Sequence, residues 1–325
     1  MNSTILITVP TLAPAGLERL RSSGCKTIFI SKAGGVPEML ERLKAEKVDA
    51  VILRQLNFDA EAIAAASSLK VISRHGVGFD GVDVAAATQR GIPVLIAPAA
   101  NAVSVAELTI ALMLAASRAI PRHDAAVRSG AWDRSHVGLQ MSGRTLGLVG
   151  IGAIGRIVAR AAVGLGMRVI AYDPYAHIAP GETSDFELVD SLDALLQRSN
   201  VVSLHCPLTD ETRNLIGAAQ LARMPKGGVL VNAARGPLVD DVALAAALRS
   251  GQLAAAGLDT MPKEPLPAGH PFRDLTNLVM TPHMGGSTDA ALDSVSVIAV
   301  DHAMAVLNGS PINPAVCVNP SVLKS

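Results

Sequence analysis

Aromatic residues are scarce in this chain: five Phe, two Tyr and one Trp among 325 residues. Half of the residues are nonetheless hydrophobic, so any core must be built from Ala, Val, Leu and Ile. That composition suits helices packed on a parallel sheet. Neither sign of charge is in excess, with 28 Lys and Arg against 28 Asp and Glu, which argues against nucleic acid as a partner. Cysteine is rare too. Cys25, Cys206 and Cys317 show no C-x-x-C spacing and, being three, cannot all pair, which fits a reducing cytoplasm; no metal is expected. The longest apolar run, residues 108–116, is too short to span a bilayer. Residues 4–9 alternate like a strand without a basic leader before them, so neither a signal peptide nor a membrane partner is expected.

The length suits two domains. Strand patterns fall at residues 5–9, 27–30, 50–53, 71–73 and 94–96, mostly with helical patterns between them. A long apolar helix is expected over 103–119, stopped by Pro121, followed by an irregular polar stretch over 122–142 that holds Trp132. From Thr145 the alternation resumes, with strands expected at 168–172, 201–204, 229–232, 255–258 and 278–280. Helices are expected near 191–197, 218–222 and 240–250, and a last amphipathic helix over 288–307 ends at Asn308-Gly309. The pattern is α/β, with two doubly wound parallel sheets.

The segment Thr145-Leu146-Gly147-Leu148-Val149-Gly150-Ile151-Gly152-Ala153-Ile154-Gly155 is an apolar strand feeding a G-x-G-x-x-G turn, and Asp173 follows at the end of the next strand. Each part has a task in holding a dinucleotide. Gly150 permits the tight turn. Gly152, with Ala153 and Ile154 opening the helix, lets backbone N–H groups approach a pyrophosphate. Gly155 lets the helix lie close to the strand. Asp173 accepts hydrogen bonds from a ribose and repels a 2′-phosphate, which favours NAD over NADP.

Hydride transfer needs a cation for the carbonyl substrate and a proton donor. Three later segments follow predicted strands: Asn232-Ala233-Ala234-Arg235-Gly236-Pro237-Leu238-Val239-Asp240, Leu258-Asp259-Thr260-Met261-Pro262-Lys263-Glu264-Pro265, and Thr281-Pro282-His283-Met284-Gly285-Gly286-Ser287-Thr288. They present Arg235, whose planar fork suits a carboxylate, then Glu264, then His283. Taken singly, each also reads as a surface pair or a structural hydrogen-bonder.

Together with Leu204-His205-Cys206-Pro207-Leu208, these segments in this order resemble the D-isomer-specific 2-hydroxyacid dehydrogenases. That family includes phosphoglycerate dehydrogenase, hydroxypyruvate and glyoxylate reductases, D-lactate dehydrogenase and formate dehydrogenase. The resemblance implies a Rossmann NAD-binding domain over 101–289. It also implies a smaller flavodoxin-like substrate domain, discontinuous, from 1–100 with 290–325, closing over the cofactor. It makes His283 the general acid/base, Glu264 its orienting partner and Arg235 the carboxylate and carbonyl clamp. Asp259 would bond the nicotinamide carboxamide. His205 and Pro207 would flank the cofactor, with a purely structural role as the alternative. The family's substrate loop corresponds to Arg74-His75-Gly76-Val77-Gly78-Phe79-Asp80-Gly81-Val82-Asp83, so the N–H groups of Val77 and Gly78 would hold the substrate carboxylate. Gly81 departs from the usual Asn, and Pro262 from a common acidic residue.

Arg54 and Arg74 match arginines of phosphoglycerate dehydrogenases and imply a substrate with a second anionic group; Arg54 also reads as a surface residue. Reduction of hydroxypyruvate or glyoxylate is the alternative. The chain ends soon after its last helix, so feedback through a C-terminal regulatory domain is not expected. An NAD-sensing, corepressor-like protein is the reading from another class, since corepressors share this fold. The resemblance further implies a homodimer through the dinucleotide domain, involving the helix after Asn101 and the region of Trp132, which otherwise reads as a packing residue.

Overall fold

Residues 3–176 and 185–323 are described by a computed structural model. They divide into two units, Met1–Asn101 with Gly286–Ser325, and Ala102–Gly285.

The first unit alternates β1 (Thr4–Ile7), α1 (Pro14–Ser23), β2 (Lys26–Phe29), α2 (Gly35–Ala45), β3 (Ala50–Leu53), α3 (Ala60–Ala65), β4 (Val71–Arg74), α4 (Val84–Gln89) and β5 (Val94–Leu95). The strands pair in parallel in the order β2-β1-β3-β4-β5, the flavodoxin-like arrangement. Strand periodicity divides the buried side chains between the two faces. Ile5, Ile7, Ala50 and Ile52 enter one cluster, and Leu6, Val51 and Leu53 the other. The C-terminal helix Asp289–Leu307, capped by Thr288 Oγ1 on Ala291 N, covers the first face through Ala299, Val300 and Ala303. Its length and mean hydropathy of 1.6 would suffice to cross a membrane, beyond what the 108–116 run predicts. Here its buried face belongs to the core of the unit.

The second unit comprises α5 (Ala102–Ser117), α6 (Ile120–Arg128), β6 (Thr145–Val149), α7 (Ala153–Gly164), β7 (Arg168–Tyr172), β8 (Glu187–Leu188), α8 (Leu192–Arg198), β9 (Val201–Leu204), α9 (Ala218–Arg223), β10 (Gly228–Asn232), α10 (Asp241–Ser250), β11 (Leu253–Leu258) and β12 (Leu278–Met280). Among the described residues its strands form one parallel sheet, ordered β12-β11-β10-β9-β6-β7-β8. The order reverses between β6 and β9, a Rossmann switch point, and ligands bind such sheets at the carboxyl ends beside it. In β10, Val229 and Val231 pack on one face and Leu230 on the other. With aromatics scarce, only Phe58 and Phe272 are aromatics among the largest fully buried side chains.

Two expectations about this unit are corrected. Pro121 does not end a helix running to 119. α5 stops at Ser117, Ala119 turns left-handed at φ 51°, and α6 restarts with Pro121 in its first turn, bent 63° from α5. Proline is tolerated there because a first-turn N–H has no intrahelical partner. Trp132 is 80% exposed and packs in no core of this unit. Small differences occur elsewhere: β1 ends at Ile7 rather than Val9, and β8 is an added two-residue edge strand.

Candidate active site

The glycine turn lies at the carboxyl end of β6. Gly150 has φ 96°, and a Cβ there would stand 2.8 Å from the carbonyl carbon of His205. No side chain fits that approach. A Cβ at Gly155 would meet Gly150 O at 2.5 Å, so helix α7 sits directly on the turn. Gly152 differs, since a Cβ there would meet nothing within 4 Å. The protein's own packing does not require that glycine, but a ligand approaching the α7 N-terminus, where Ala153 and Ile154 begin the helix, would. Asp173 is tied to the turn. Its Oδ2 accepts from Ile151 N at 3.0 Å and its Oδ1 from Tyr175 N at 2.9 Å. An open helix N-terminus with a carboxylate fixed beside it, at the end of the adjacent strand, fits a dinucleotide.

His205 N donates to Val149 O at 2.8 Å, and its Nε2 lies 2.9 Å from Ser203 Oγ. Burial pushes this imidazole down to about 4, so it is neutral near pH 7. Burial raises the neighbouring Cys206 thiol to about 11, which keeps it unreactive. Pro207 is exposed, and its carbonyl accepts from Thr212 Oγ1 at 2.7 Å.

Arg235, Glu264 and His283 follow β10, β11 and β12, on the same edge of the sheet. His283 Nδ1 lies 2.8 Å from Glu264 Oε2, while Glu264 Oε1 accepts from Met261 N at 3.0 Å. The bond from Glu264 is the largest influence on His283 and raises its pKa; burial and the positive charge of Arg235 oppose it without reversing it. Burial disfavours ionised Glu264, but the bonds from His283 and Met261 N, with the charges of His283 and Arg235, hold its carboxyl below the usual range. An imidazolium held by a carboxylate near a guanidinium can deliver a proton to an oxygen of an anionic substrate.

The turn under His283 closes on Asp259, which is 1% exposed. Its Oδ1 accepts from Thr281 Oγ1 at 2.6 Å and Met284 N at 2.8 Å, its Oδ2 from Gly285 N at 2.8 Å, and its carbonyl from His283 N at 2.8 Å. Both carboxylate oxygens thus face the 281–285 turn and hold His283 at φ 53°, a conformation uncommon for any residue but glycine. Thr281 and Asn232 are contributors that the sequence motifs contained without revealing their roles. Asn232 Nδ2 donates to Arg235 O at 2.8 Å and its Oδ1 accepts from Ala234 N at 3.0 Å, which fixes the turn that presents Arg235.

The backbone of the Arg235 turn lies close against that of the Glu264 loop. A Cβ at Gly236 would stand 2.0 Å from Met261 O. Gly236→Ala is therefore expected to lower stability by about 1–3 kcal/mol through overpacking, read as a lower Tm, and to reduce kcat/KM by separating Arg235 from Glu264.

A cavity of about 680 Å³ in this unit is lined by Thr145, Arg168, Phe186 and Arg198, among others. It opens at the amino ends of β6 and β7, away from the glycine turn, and Arg198 there is paired with Glu187 through both oxygens.

The remaining predicted residues lie in the first unit. Arg54 follows β3 at the β1/β3 switch point, its backbone N donating to Thr8 Oγ1 at 2.7 Å, which in turn donates to Arg54 O at 2.8 Å. The guanidinium is half-buried, burial lowers its pKa, and no side chain among the described residues pairs with it. Arg74 folds over the following loop, its Nε donating to Gly78 O at 2.7 Å and its Nη1 to Leu53 O at 3.1 Å. Val77 and Gly78 lie in that loop, with Val77 37% exposed. A Cβ at Gly81 would meet Asn57 Oδ1 at 2.8 Å, so the Asn57 carboxamide occupies the space an Asn side chain at position 81 would enter.

Fold and site together define an α/β dinucleotide-binding protein with an acid–base pair and an arginine at the carboxyl edge of its Rossmann sheet. Residues 110–285 match the family described as "D-isomer specific 2-hydroxyacid dehydrogenase, NAD binding domain". The chain belongs to this family, and its cofactor is NAD. It is 43% identical over 274 residues to D-3-phosphoglycerate dehydrogenase of Methanocaldococcus jannaschii, covering 84% of this chain and 52% of that protein. It is 40% identical over 276 residues to glyoxylate reductase of Thermofilum pendens, covering 82% and 79%. Among solved structures, the TT0316 protein of Thermus thermophilus superposes with a TM-score of 0.86 at 39% identity, over 97% of this chain and 99% of that one. The chain spans about half the length of the first of these curated relatives.

Proposed function

We propose that this protein catalyses reversible hydride transfer between NAD(H) and a small 2-oxo/2-hydroxy acid that carries a second anionic group. The observation that carries the reading is the 2.8 Å His283–Glu264 pair with Arg235 beside it, at the carboxyl edge of a sheet that also presents the glycine turn and Asp173. Gly150, Gly152, Ala153, Ile154, Gly155 and Asp173 would hold NADH, which supplies the hydride. Arg235 binds the substrate carboxylate and polarises the neighbouring ketone. His283 gives its proton to the ketone oxygen as that oxygen gains charge, and Glu264 stabilises the imidazolium before transfer. In the oxidative direction the neutral imidazole takes the hydroxyl proton. The backbone N–H groups of Val77 and Gly78 in the first unit are assigned to the carboxylate. Arg54, a half-buried cation with no side-chain counter-ion among the described residues, is assigned to the second anion.

Similarity to a glyoxylate reductase over most of that enzyme's length favours reduction of glyoxylate or hydroxypyruvate as the second reading. The test is NADH oxidation by the purified protein with hydroxypyruvate, glyoxylate, pyruvate and 3-phosphohydroxypyruvate, with NADPH as the control cofactor. Preference for the phosphorylated acid supports the anion assignment, and preference for glyoxylate or hydroxypyruvate removes Arg54 from the site. Absence of turnover on all four contradicts the proposed reaction on these substrates and leaves NAD sensing.

A homodimer is part of this reading. Its support is the apolar exposure of Val103, Ile120, Val127, Trp132 and Val137 in the second unit, where α6 buries no residue of its own. Three free thiols fit the cytoplasm.

A further inference from the structure

The loop assigned to the substrate carboxylate buries few of its side chains. Between Ser73 and Val82 one residue alone is buried, His75, at 8% exposure. Val77 and Phe79 are 37% and 42% exposed, and Gly76 has φ 148°. The direction in which the Val77 and Gly78 N–H groups point therefore depends on how the root of the loop is fixed.

That root is fixed by polar bonds. His75 N and Arg74 Nη1 both donate to Leu53 O, at 3.0 and 3.1 Å, while Arg74 Nε closes the loop on Gly78 O. On the other side of β4, His75 Nε2 lies 2.8 Å from Oγ of Ser296 in the C-terminal helix, and Ser73 Oγ donates to Ala299 O at 2.8 Å. Ser296 is fully buried and pinned from behind, since a Cβ on Gly16 of α1 would come within 2.4 Å of its Cβ. A side chain held this closely restricts the His75 ring to one orientation. Burial, then the charges of Arg54 and Arg74, push His75 down to about 4, so near neutral pH the bond joins two uncharged groups.

We propose that Ser296 and His75 form a positioning pair for the substrate loop, the serine orienting the imidazole and the imidazole setting the backbone that receives the substrate carboxylate. The inference rests on the assignment of Val77 and Gly78 to that carboxylate. Neither side chain need touch substrate, so both are positioning residues rather than catalytic ones. Groups whose supporting hydrogen bonds are removed lose geometry before they lose chemistry, and the loss falls on the ligand they hold.

Ser296→Ala is the cleanest test, because it deletes Oγ and keeps the Cβ against which Gly16 packs. KM for the best 2-oxo acid is expected to rise about tenfold, the equivalent of one neutral hydrogen bond. In the same variant kcat and the NADH Kd, read by fluorescence, should stay within about twofold. His75→Ala should raise KM by a similar factor, and the double variant should be no worse than the poorer single one, because both remove one interaction. His75→Gln, which keeps a polar group in reach of Ser296, should recover most of the lost affinity. The proposal is overturned if Ser296→Ala leaves KM unchanged or if the two effects multiply in the double variant. It is equally overturned if KM, kcat and NADH affinity all worsen together with Tm, the mark of a merely structural bond. Wild-type protein without turnover would bring down the dehydrogenase reading itself, and this inference with it.

Discussion

Replacing His283 with alanine is expected to lower kcat for 2-oxo acid reduction by about 10²–10⁴-fold, the range for loss of a positioned general acid. NADH binding should stay within about twofold of wild type, because the residues assigned to the cofactor lie on other loops. The loss should be greatest at low pH, where wild-type His283 is fully protonated and the alanine variant has no donor. Steady-state kinetics with NADH titrations separate the two effects. Glu264→Gln should act more mildly and differently. It keeps a hydrogen-bond acceptor near His283 and removes the negative charge, so it should lower the pKa of the imidazole.

Replacing Arg235 with alanine should lower kcat by about 10²–10³-fold, as for removal of a preorganised group that stabilises charge developing on oxygen, and should also raise KM. Arg235→Lys should restore little, since an ammonium cannot reproduce the planar two-pronged contact with a carboxylate. A second consequence distinguishes this residue from Glu264. The positive charge of Arg235 now lowers the pKa of His283, so Arg235→Ala should move that pKa up, opposite to Glu264→Gln. Opposite movements in two pH profiles would be hard to obtain from general damage to the fold.

Much of the architecture was legible because local rules and tertiary structure agree. The strands at 50–53, 168–172, 201–204 and 278–280 begin and end where apolar runs meet turn residues. The glycine turn was legible because its demands are local: Gly155 is required by the carbonyl of Gly150 within the same turn, and Gly150 by its own positive φ. Helix α6 was not, because Pro121 forbids a helix interior and permits a helix start, and sequence alone does not choose between them. Edge strand β8 has two residues, both exposed, and so no periodicity to read. The direction of Asp259 was hidden for a different reason. No spacing rule names the partners of a carboxylate at a strand end, here Thr281, Met284 and Gly285 closing around it. The His75–Ser296 contact joins residues more than two hundred positions apart, and no spacing rule reaches that far.

The most direct measurement is the pH dependence of kcat/KM for reduction of the preferred 2-oxo acid, with wild-type and Glu264→Gln proteins side by side. Reduction needs protonated His283, so wild-type kcat/KM should hold at low pH and fall as pH rises through a pKa above the ordinary 6.5. In Glu264→Gln the fall should begin at lower pH, and in the oxidative direction kcat/KM should rise through the same ionisation. A wild-type profile flat from about pH 6 to 9, or one that Glu264→Gln leaves in place, would contradict the assignment of His283 as the proton donor.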